Sequence, residues 1–97
     1  MWPRNNKISY ATIFGRNIRA CRIAKGLSLK QLAEEELGWP KELLDDIEHG
    51  FSDKIDVRFM VELSEYFNIP LDTLIRSEHF TPPENLYINN NTIEFGE

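Results

Sequence analysis

The stretch that decides the fold is Ser28 to Gly50, SLKQLAEEELGWPKELLDDIEHG, which reads as two short helices joined by a tight turn. Ser28 can cap the free amides of the first helix, and Gln31, three residues later, can reach back to the amide of the cap. Gly38 can adopt the left-handed conformation that ends a helix, and Pro40 suits the first turn of the next one. The sequence therefore predicts a helix-turn-helix unit, in which the second helix presents side chains to a partner.

The residues around this unit complete a wider pattern. It comprises Ser28, Leu32, Ala33, Gly38, Leu44, Ile47, Glu48 and Gly50, preceded by Ile18, Arg19 and Arg22 and followed by Leu71, Asp72, Thr73 and Leu74. The pattern resembles the lambda-repressor-like helix-turn-helix family, of the Xre or Cro type, over about residues 14–75. The resemblance implies an all-α fold of five helices whose third helix, the recognition helix, lies in the DNA major groove. It also implies an ion pair between Arg22 and Glu48 that ties the first helix to the third.

The chain departs from the family pattern in three places. The family usually has one residue fewer between Ala33 and Gly38, so an insertion among the glutamates of 34–36 must be absorbed by a bulge or a longer turn. Leu29 stands where the family often has a glutamine that bonds a phosphate. Among the residues that would face base edges, Lys41 is the one plausible hydrogen-bond donor. These positions are Pro40, Lys41, Glu42, Leu43, Asp45 and Asp46.

Charge is divided unevenly along the chain, whose formal net charge is -5. Residues 1–30 carry seven basic side chains and no acidic one, whereas residues 31–97 carry four basic and sixteen acidic ones. This asymmetry suits a basic face laid against phosphates, with the acidic surface turned away. It suits equally well a solvated basic helix beside acidic helices, and the acids of the recognition helix weigh against DNA.

The chain divides into an N-terminal arm (1–12), the helix-turn-helix domain (13–76) and a linker with a C-terminal hairpin or tail (77–97). Apolar residues at helical spacing predict a first helix over 13–25, and they place Cys21 in the core as a small buried side chain. A basic arm could enter a groove of DNA, although a disordered terminus is the commoner outcome.

Two further helices are expected after the unit. Asp56 can cap the fourth helix, and Pro70 can begin the short fifth one. Helical spacing indicates that the fourth helix buries one apolar stripe. The residues of this expected stripe are Val57, Met60, Ser64 and Phe67.

Residues 85–95, NLYINNNTIEF, alternate apolar and polar side chains around an asparagine-rich turn, which predicts a short β-hairpin. A lone hairpin is marginally stable in water, so this one should pack on the helical domain or on a partner's strands. We therefore expect a homodimer contact involving Leu86 to Phe95. The alternative is a loosely ordered tail.

The sequence contains no pattern typical of a catalytic, cofactor or metal site. His49 and His79 have no cysteine or second histidine at metal-ligand spacing, and neither a glycine-rich phosphate loop nor a nucleophile-base pair is visible. We expect a protein that is not an enzyme and that needs no cofactor. No apolar run approaches the length of about 18 residues that a membrane span needs, and no signal peptide is visible, so we expect a cytoplasmic location.

Two functions are compatible with these patterns. The first is a sequence-specific transcriptional regulator that binds double-stranded DNA as a dimer, with Lys41 reading a base and other polar groups holding phosphates. The second keeps the fold but uses the acidic third helix, an exposed Trp39 and the hairpin to bind a protein, as in an antitoxin-like, anti-repressor or adaptor role. Trp39 can instead pack under the turn. The candidate DNA-binding residues are Ser28, Lys30, Gln31, Pro40, Lys41, Glu42, Asp45, Lys54 and Arg58.

Overall fold

A computed structural model of the chain describes residues 9–51 and 55–87. Five helices follow one another in these two ranges, and neither range contains a strand. They are α1 (Tyr10–Ala24), a π-helix (Gln31–Leu37), α2 (Lys41–Glu48), α3 (Val57–Phe67) and α4 (Leu71–Arg76), followed by a single 3-10 turn (Glu84–Leu86). The expected all-α architecture of five helices is confirmed, with α2 as the third helix in chain order.

The first helix begins at Tyr10, three residues before the expected start at residue 13. Its cap is Ser9, whose hydroxyl oxygen accepts a hydrogen bond from the Thr12 amide at 3.1 Å. Phe14, Ile18 and Cys21 are fully buried, as their helical spacing predicted. Helix α1 packs against both α2 and α4, so it is the centre of the core.

The insertion at residues 34–36 is absorbed as a π-helix, which is the bulge that the sequence required. The amide of Gly38 donates to the carbonyl of Ala33, five residues earlier, and the amide of Trp39 donates to the same carbonyl at 2.7 Å. Gly38 then ends the segment with φ of +73°, a left-handed conformation that is cheapest for glycine. The wider turn accommodates the extra residue while Leu32 and Ala33 stay fully buried.

The buried stripe of α3 differs from the expected one. Leu63 and Phe67 face the core, Met60 and Ser64 are half-buried, and Val57 is 63% exposed. Asp56 caps the helix as expected, because its carboxylate accepts from the amide two residues later at 2.8 Å. The expected stripe was wrong at Val57, because this residue lies in the first turn of the helix, beyond the edge of the core.

Aromatic contacts fix α3 beside the π-helix. The ring of Trp39 packs edge-on against Phe59, with centroids 4.9 Å apart, and the indole is buried. At the other end of α3, the Tyr66 hydroxyl donates to Glu36 Oε1 at 3.1 Å. Burial and this hydrogen bond raise the pKa of Tyr66 to about 12, so the phenol stays protonated at neutral pH. Trp39 therefore packs under the turn and is not an exposed anchor.

The expected C-terminal hairpin is not supported in the described residues. Leu86 lies in the 3-10 turn and is 8% exposed, so it packs into its own core and does not begin a strand. Residues 88–95, the remainder of the expected hairpin and dimer contact, lie outside the described residues. The pattern misled at Leu86 because an apolar residue at alternating spacing can equally fill a gap in a helical core.

A buried polar residue connects the last helix to the first. Asn17 lies on α1, and its side-chain amide donates to the carbonyls of Leu74 and Ser77, each at 3.0 Å. These carbonyls belong to the end of α4, where backbone acceptors have no partner within the helix. The single asparagine therefore caps α4 from a position 57 residues earlier in the chain.

We expect Cys21 to be unreactive in the folded protein. Burial raises the pKa of its thiol to about 12, and the nucleophilic thiolate is therefore scarce at neutral pH. Ellman's reagent at pH 8 should modify the thiol more than about 100-fold more slowly in buffer than in 6 M guanidinium chloride. Equal rates under the two conditions would contradict the burial of this side chain.

Candidate nucleic-acid interface

The rear face of the recognition helix α2 is packed closely against α1. Leu44 and Ile47 are fully buried, and Gly15 of α1 lies directly against the last turn of α2. A Cβ atom placed on Gly15 would collide with the carbonyl oxygen of Ile47 and would lie 2.8 Å from that of Glu48. The absence of a side chain at this one position lets the two helix backbones touch, and it fixes how far α2 projects from the domain.

An ion pair holds the same end of α2, as the family resemblance implied. Arg22 Nε donates to Glu48 Oε2 at 2.7 Å and Arg22 Nη2 to Glu48 Oε1 at 3.0 Å, while Nη1 donates to the Leu27 carbonyl at 2.9 Å. The two side chains are 12% and 3% exposed. A planar, two-bond contact of this kind restricts rotation as well as distance, so the orientation of α2 is set from α1.

The first turn of α2 faces outward. Pro40, Lys41 and Glu42 are exposed, and their side chains have no hydrogen bond or ion pair to any other described residue. The amides of Lys41 and Glu42 precede the first intrahelical bond, which runs from the Leu43 amide to the Pro40 carbonyl at 3.1 Å. This end of the helix therefore offers an ammonium group, a carboxylate and two free amide donors on one surface.

The two aspartates of α2 are partly covered. The nearest basic group to Asp45 is His49, whose Nδ1 lies 3.4 Å from Asp45 Oδ1 and 2.8 Å from the Asp45 carbonyl oxygen. The imidazole ring also stacks on Phe51, with centroids 5.8 Å apart. Asp46 has no ion pair to any residue of 9–51 or 55–87. The middle of the helix therefore keeps the negative charge that the sequence indicated.

The candidate DNA-binding residues before the turn are exposed, and two of them are hydrogen-bonded to each other. The Ser28 amide donates to Gln31 Oε1 at 2.8 Å, and the Gln31 amide donates to Ser28 Oγ at 3.0 Å, which is the capping box expected from the sequence. Both residues remain exposed, as does Lys30, which has no ion pair to a described residue. Ser28 and Gln31 therefore have a structural role whether or not they also contact phosphates.

Two candidate DNA-binding residues, Lys54 and Arg58, follow α2 in the chain. Arg58 binds Asp56 through two bonds, Nε to Oδ1 at 3.2 Å and Nη2 to Oδ2 at 3.1 Å. These bonds hold the pKa of the Asp56 carboxyl below its usual range. Arg58 is 78% exposed, so it can still turn to a phosphate, but it must leave a carboxylate to do so. Lys54 lies outside the described residues.

One basic residue beside α2 was missing from the candidate set. Arg19 of α1 is exposed and lines a concave surface with Leu29, Asp45 and His49, next to the Arg22–Glu48 pair. It has no ion pair to a described residue. The signal was present in the sequence, because Arg16, Arg19 and Arg22 recur every three residues and therefore share one side of a helix. A cation on the same concave surface as the acidic middle of α2 thus comes from α1.

The chain resembles known proteins at the level of a family. No curated protein and no solved structure matches the chain significantly. Among the described residues, no helix has the length and apolar character needed to cross a bilayer, and no cluster of histidine, cysteine and carboxylate side chains could hold a metal ion. A helix-turn-helix family model matches residues 18–74, which run from Ile18 in α1 to Leu74 in α4. With the helix order, the turn at Gly38 and the buried ion pair behind α2, this match shows that the chain belongs to the helix-turn-helix family of the Xre and lambda-repressor type.

Proposed function

We propose that this protein is a transcriptional regulator that binds double-stranded DNA sequence-specifically through α2. The observation that supports this best is the division of α2 into two faces. Leu44, Ile47 and Glu48 lock its rear to α1, while its first turn is exposed and has no partner among the described residues. A rigidly held helix with a free N-terminal turn is what insertion into a major groove requires.

Base recognition is assigned to the exposed turn. The ammonium group of Lys41 is suited to the O6 and N7 acceptors of guanine, and the carboxylate of Glu42 can accept from the exocyclic amine of cytosine. Pro40 and Asp45 lie on either side of these two positions along the chain. The base contacts come from one turn of helix, so affinity must come mainly from contacts to phosphates.

Phosphate contacts are assigned to the groups around the turn. Exposed Lys30 and Arg19 are two cations without a described partner, and Arg58 can contribute after leaving Asp56. Ser28 and Gln31, with the free amides of the first turn of α2, add neutral donors. In this arrangement Arg19 compensates Asp45, because both side chains line the same concave surface.

We further propose that the protein acts as a dimer in the cytoplasm, without catalysing a reaction. Two copies would read a roughly palindromic site whose halves lie about 34 Å apart, one turn of the DNA helix. The contact assigned to Leu86 by sequence is not available, because that side chain is buried in its own domain. The dimer contact must therefore use other residues.

The DNA function predicts a specific effect of Lys41→Ala. Sequences selected from a genomic DNA pool at low salt should bind this variant about 10- to 100-fold more weakly than the original protein, with specificity relaxed at one base pair. Random duplexes should lose much less affinity, because a base contact contributes little to them. Fluorescence anisotropy at several salt concentrations measures both quantities.

Arg76→Ala is the matched control for this experiment. Arg76 is an exposed cation on α4 whose partner, Asp72, is also exposed, so its removal changes net charge equally. The affinity of the Arg76→Ala variant for the selected DNA should stay within about twofold of that of the original protein. Undetectable binding to every duplex at low salt, or equal losses for the two variants, would refute the assignment of DNA reading to α2.

A second candidate function is binding of a basic protein surface by the acidic side of the domain. The observation favouring it is that Asp45 and Asp46 lie mid-helix with His49 as their single described basic contact. Replacing both aspartates by serine separates the two functions. DNA affinity should rise if phosphates are the partner, because two repulsive charges are removed, whereas affinity for a basic protein partner should be lost.

A further inference from the structure

A cleft lies between α1 and the segment that follows α4. Its floor is α1, with Ala20, Ile23 and Ala24, and its far wall is the segment that follows α4, with Pro82 and Tyr87. Its volume is about 470 Å³, within the range of about 300 to 1,000 Å³ that is usual for small-molecule sites. The recognition helix contributes no residue to it.

The two charged groups of this cleft are both cations. Arg16 and Arg19 line it, one helical turn apart, and neither has a hydrogen bond or ion pair to another described residue. No carboxylate lines the cleft beside them. The other three arginines among the described residues are all paired, Arg22 with Glu48, Arg58 with Asp56 and Arg76 with Asp72. Two unpaired guanidinium groups at one opening attract an anion.

The remaining surface of the cleft is apolar. Ile23 is 53% exposed and Tyr87 is 37% exposed, although both are large side chains that gain from burial. Ala20 and Ala24 keep the floor of the cleft flat, because the side chain of each is a single methyl group. A ligand that fits must therefore join a negative group, held by the arginines, to an apolar body that covers Ile23 and Tyr87.

We propose that this cleft binds a small organic acid, namely a carboxylate with an apolar body. The carboxylate accepts charge-assisted hydrogen bonds from Arg16 and Arg19, and the apolar body lies along Ala20 and Ala24 between Ile23 and Tyr87. A neutral apolar molecule would leave the arginines without a partner, and inorganic phosphate would leave the apolar side chains in water. The site thus selects for both properties together.

The same site is placed to regulate DNA binding, a step that rests on the proposed function. Arg19 lines both the cleft and the concave surface that carries Asp45 and His49 of α2. A carboxylate held in the cleft draws the Arg19 guanidinium away from the phosphates and from the concave surface beside α2. Binding of the acid and binding of DNA therefore oppose each other, and each ligand lowers the affinity for the other by the same factor.

Octanoate is a suitable probe, with octanol and inorganic phosphate as its matched controls. Heteronuclear NMR titration of the full chain should show octanoate shifting the Arg16 and Arg19 side-chain Nε signals and the amides of Ala20, Ile23 and Tyr87. Arg16→Gln and Arg19→Gln should each weaken octanoate binding about tenfold or more. Arg76→Gln, which removes an exposed arginine outside the cleft, should leave binding unchanged.

The outcomes distinguish the site from its regulatory role. Octanol binding as well as octanoate, shifts spread over the whole surface, or unchanged binding by both arginine variants would overturn the site. With the site established, a fall in DNA affinity at saturating octanoate supports the coupling, and an unchanged DNA affinity overturns the coupling alone. If no duplex binds, the proposed DNA function fails, while the ligand site is still judged by the titration.

Discussion

Gly15→Ala is expected to destabilise the domain by about 2 kcal/mol, although the same change in most helices would stabilise it by about 0.5 to 1 kcal/mol. The new Cβ would meet backbone atoms of Ile47 and Glu48, which are held in α2 and cannot rotate away as a side chain does. The helix pair must separate, which opens gaps around Leu44. Urea unfolding should show a lower midpoint with an unchanged slope, and thermal unfolding should show a decrease of about 10 °C.

Gly38→Ala supplies a control with a different physical origin. Nothing lies within 4 Å of the Cβ position at Gly38, and φ there is +73°, so its cost of about 1 to 2 kcal/mol comes from the backbone alone. Gly38→Asn should recover part of that loss, because asparagine tolerates the left-handed conformation. A Gly15→Ala protein at least as stable as the original would show that α1 and α2 are not in backbone contact.

Glu48→Ala is expected to cost about 3 to 5 kcal/mol of unfolding free energy, enough to unfold a large fraction of a domain of this size. The change leaves the Arg22 guanidinium, which is 12% exposed, with the Leu27 carbonyl as its one remaining hydrogen-bond partner among the described residues. The uncompensated charge is the main part of the cost, because a buried ion pair contributes little net stability when both partners are present. Chemical denaturation followed by circular dichroism measures it.

A double-mutant cycle tests that account of the cost. Arg22→Met combined with Glu48→Leu removes both charges and should be at least 2 kcal/mol more stable than Glu48→Ala. Asp72→Ala breaks an ion pair whose partners are 63% and 74% exposed, and it should cost less than about 1 kcal/mol. If Glu48→Ala were as mild as Asp72→Ala, the pair would not hold α2 against α1.

For the proposed DNA function, Gly15→Ala and Glu48→Ala should both disturb the placement of α2 on the domain. Gly15 sets the distance of α2 from the domain, and the Arg22–Glu48 pair sets its orientation, so both act on the reading surface without touching it. Either variant, where it remains folded, should reduce affinity for selected DNA more than for random DNA. The reason is that base contacts depend on a placement within about 0.5 Å, whereas phosphate contacts tolerate more movement.

Features that depend on neighbours along the chain were predictable from sequence. The capping box of Ser28 and Gln31, the left-handed Gly38 and the Asp56 cap each involve residues within a few positions of one another. The burial of Cys21 followed from helical spacing. The Arg22–Glu48 pair joins residues 26 positions apart and came from family resemblance, because no local rule links them.

Features that depend on packing between distant segments were decided by the tertiary structure. Leu86 filled a gap in the core although its alternation pattern predicted a strand, and Val57 fell outside the core although its spacing fitted. Arg19 gained its place beside Asp45 when α1 docked on α2.

The sequence by itself determined that two helices meet at a glycine turn after a capped start, because caps and turns are local and their hydrogen bonds span few residues. The tertiary structure decided where an apolar helical pattern leaves the core, as at Val57, and which cations stand near the acidic α2. Burial is a property of a residue's neighbours in space, and in this domain such neighbours can lie 60 positions apart in the chain, as in the bond from Asn17 to Ser77.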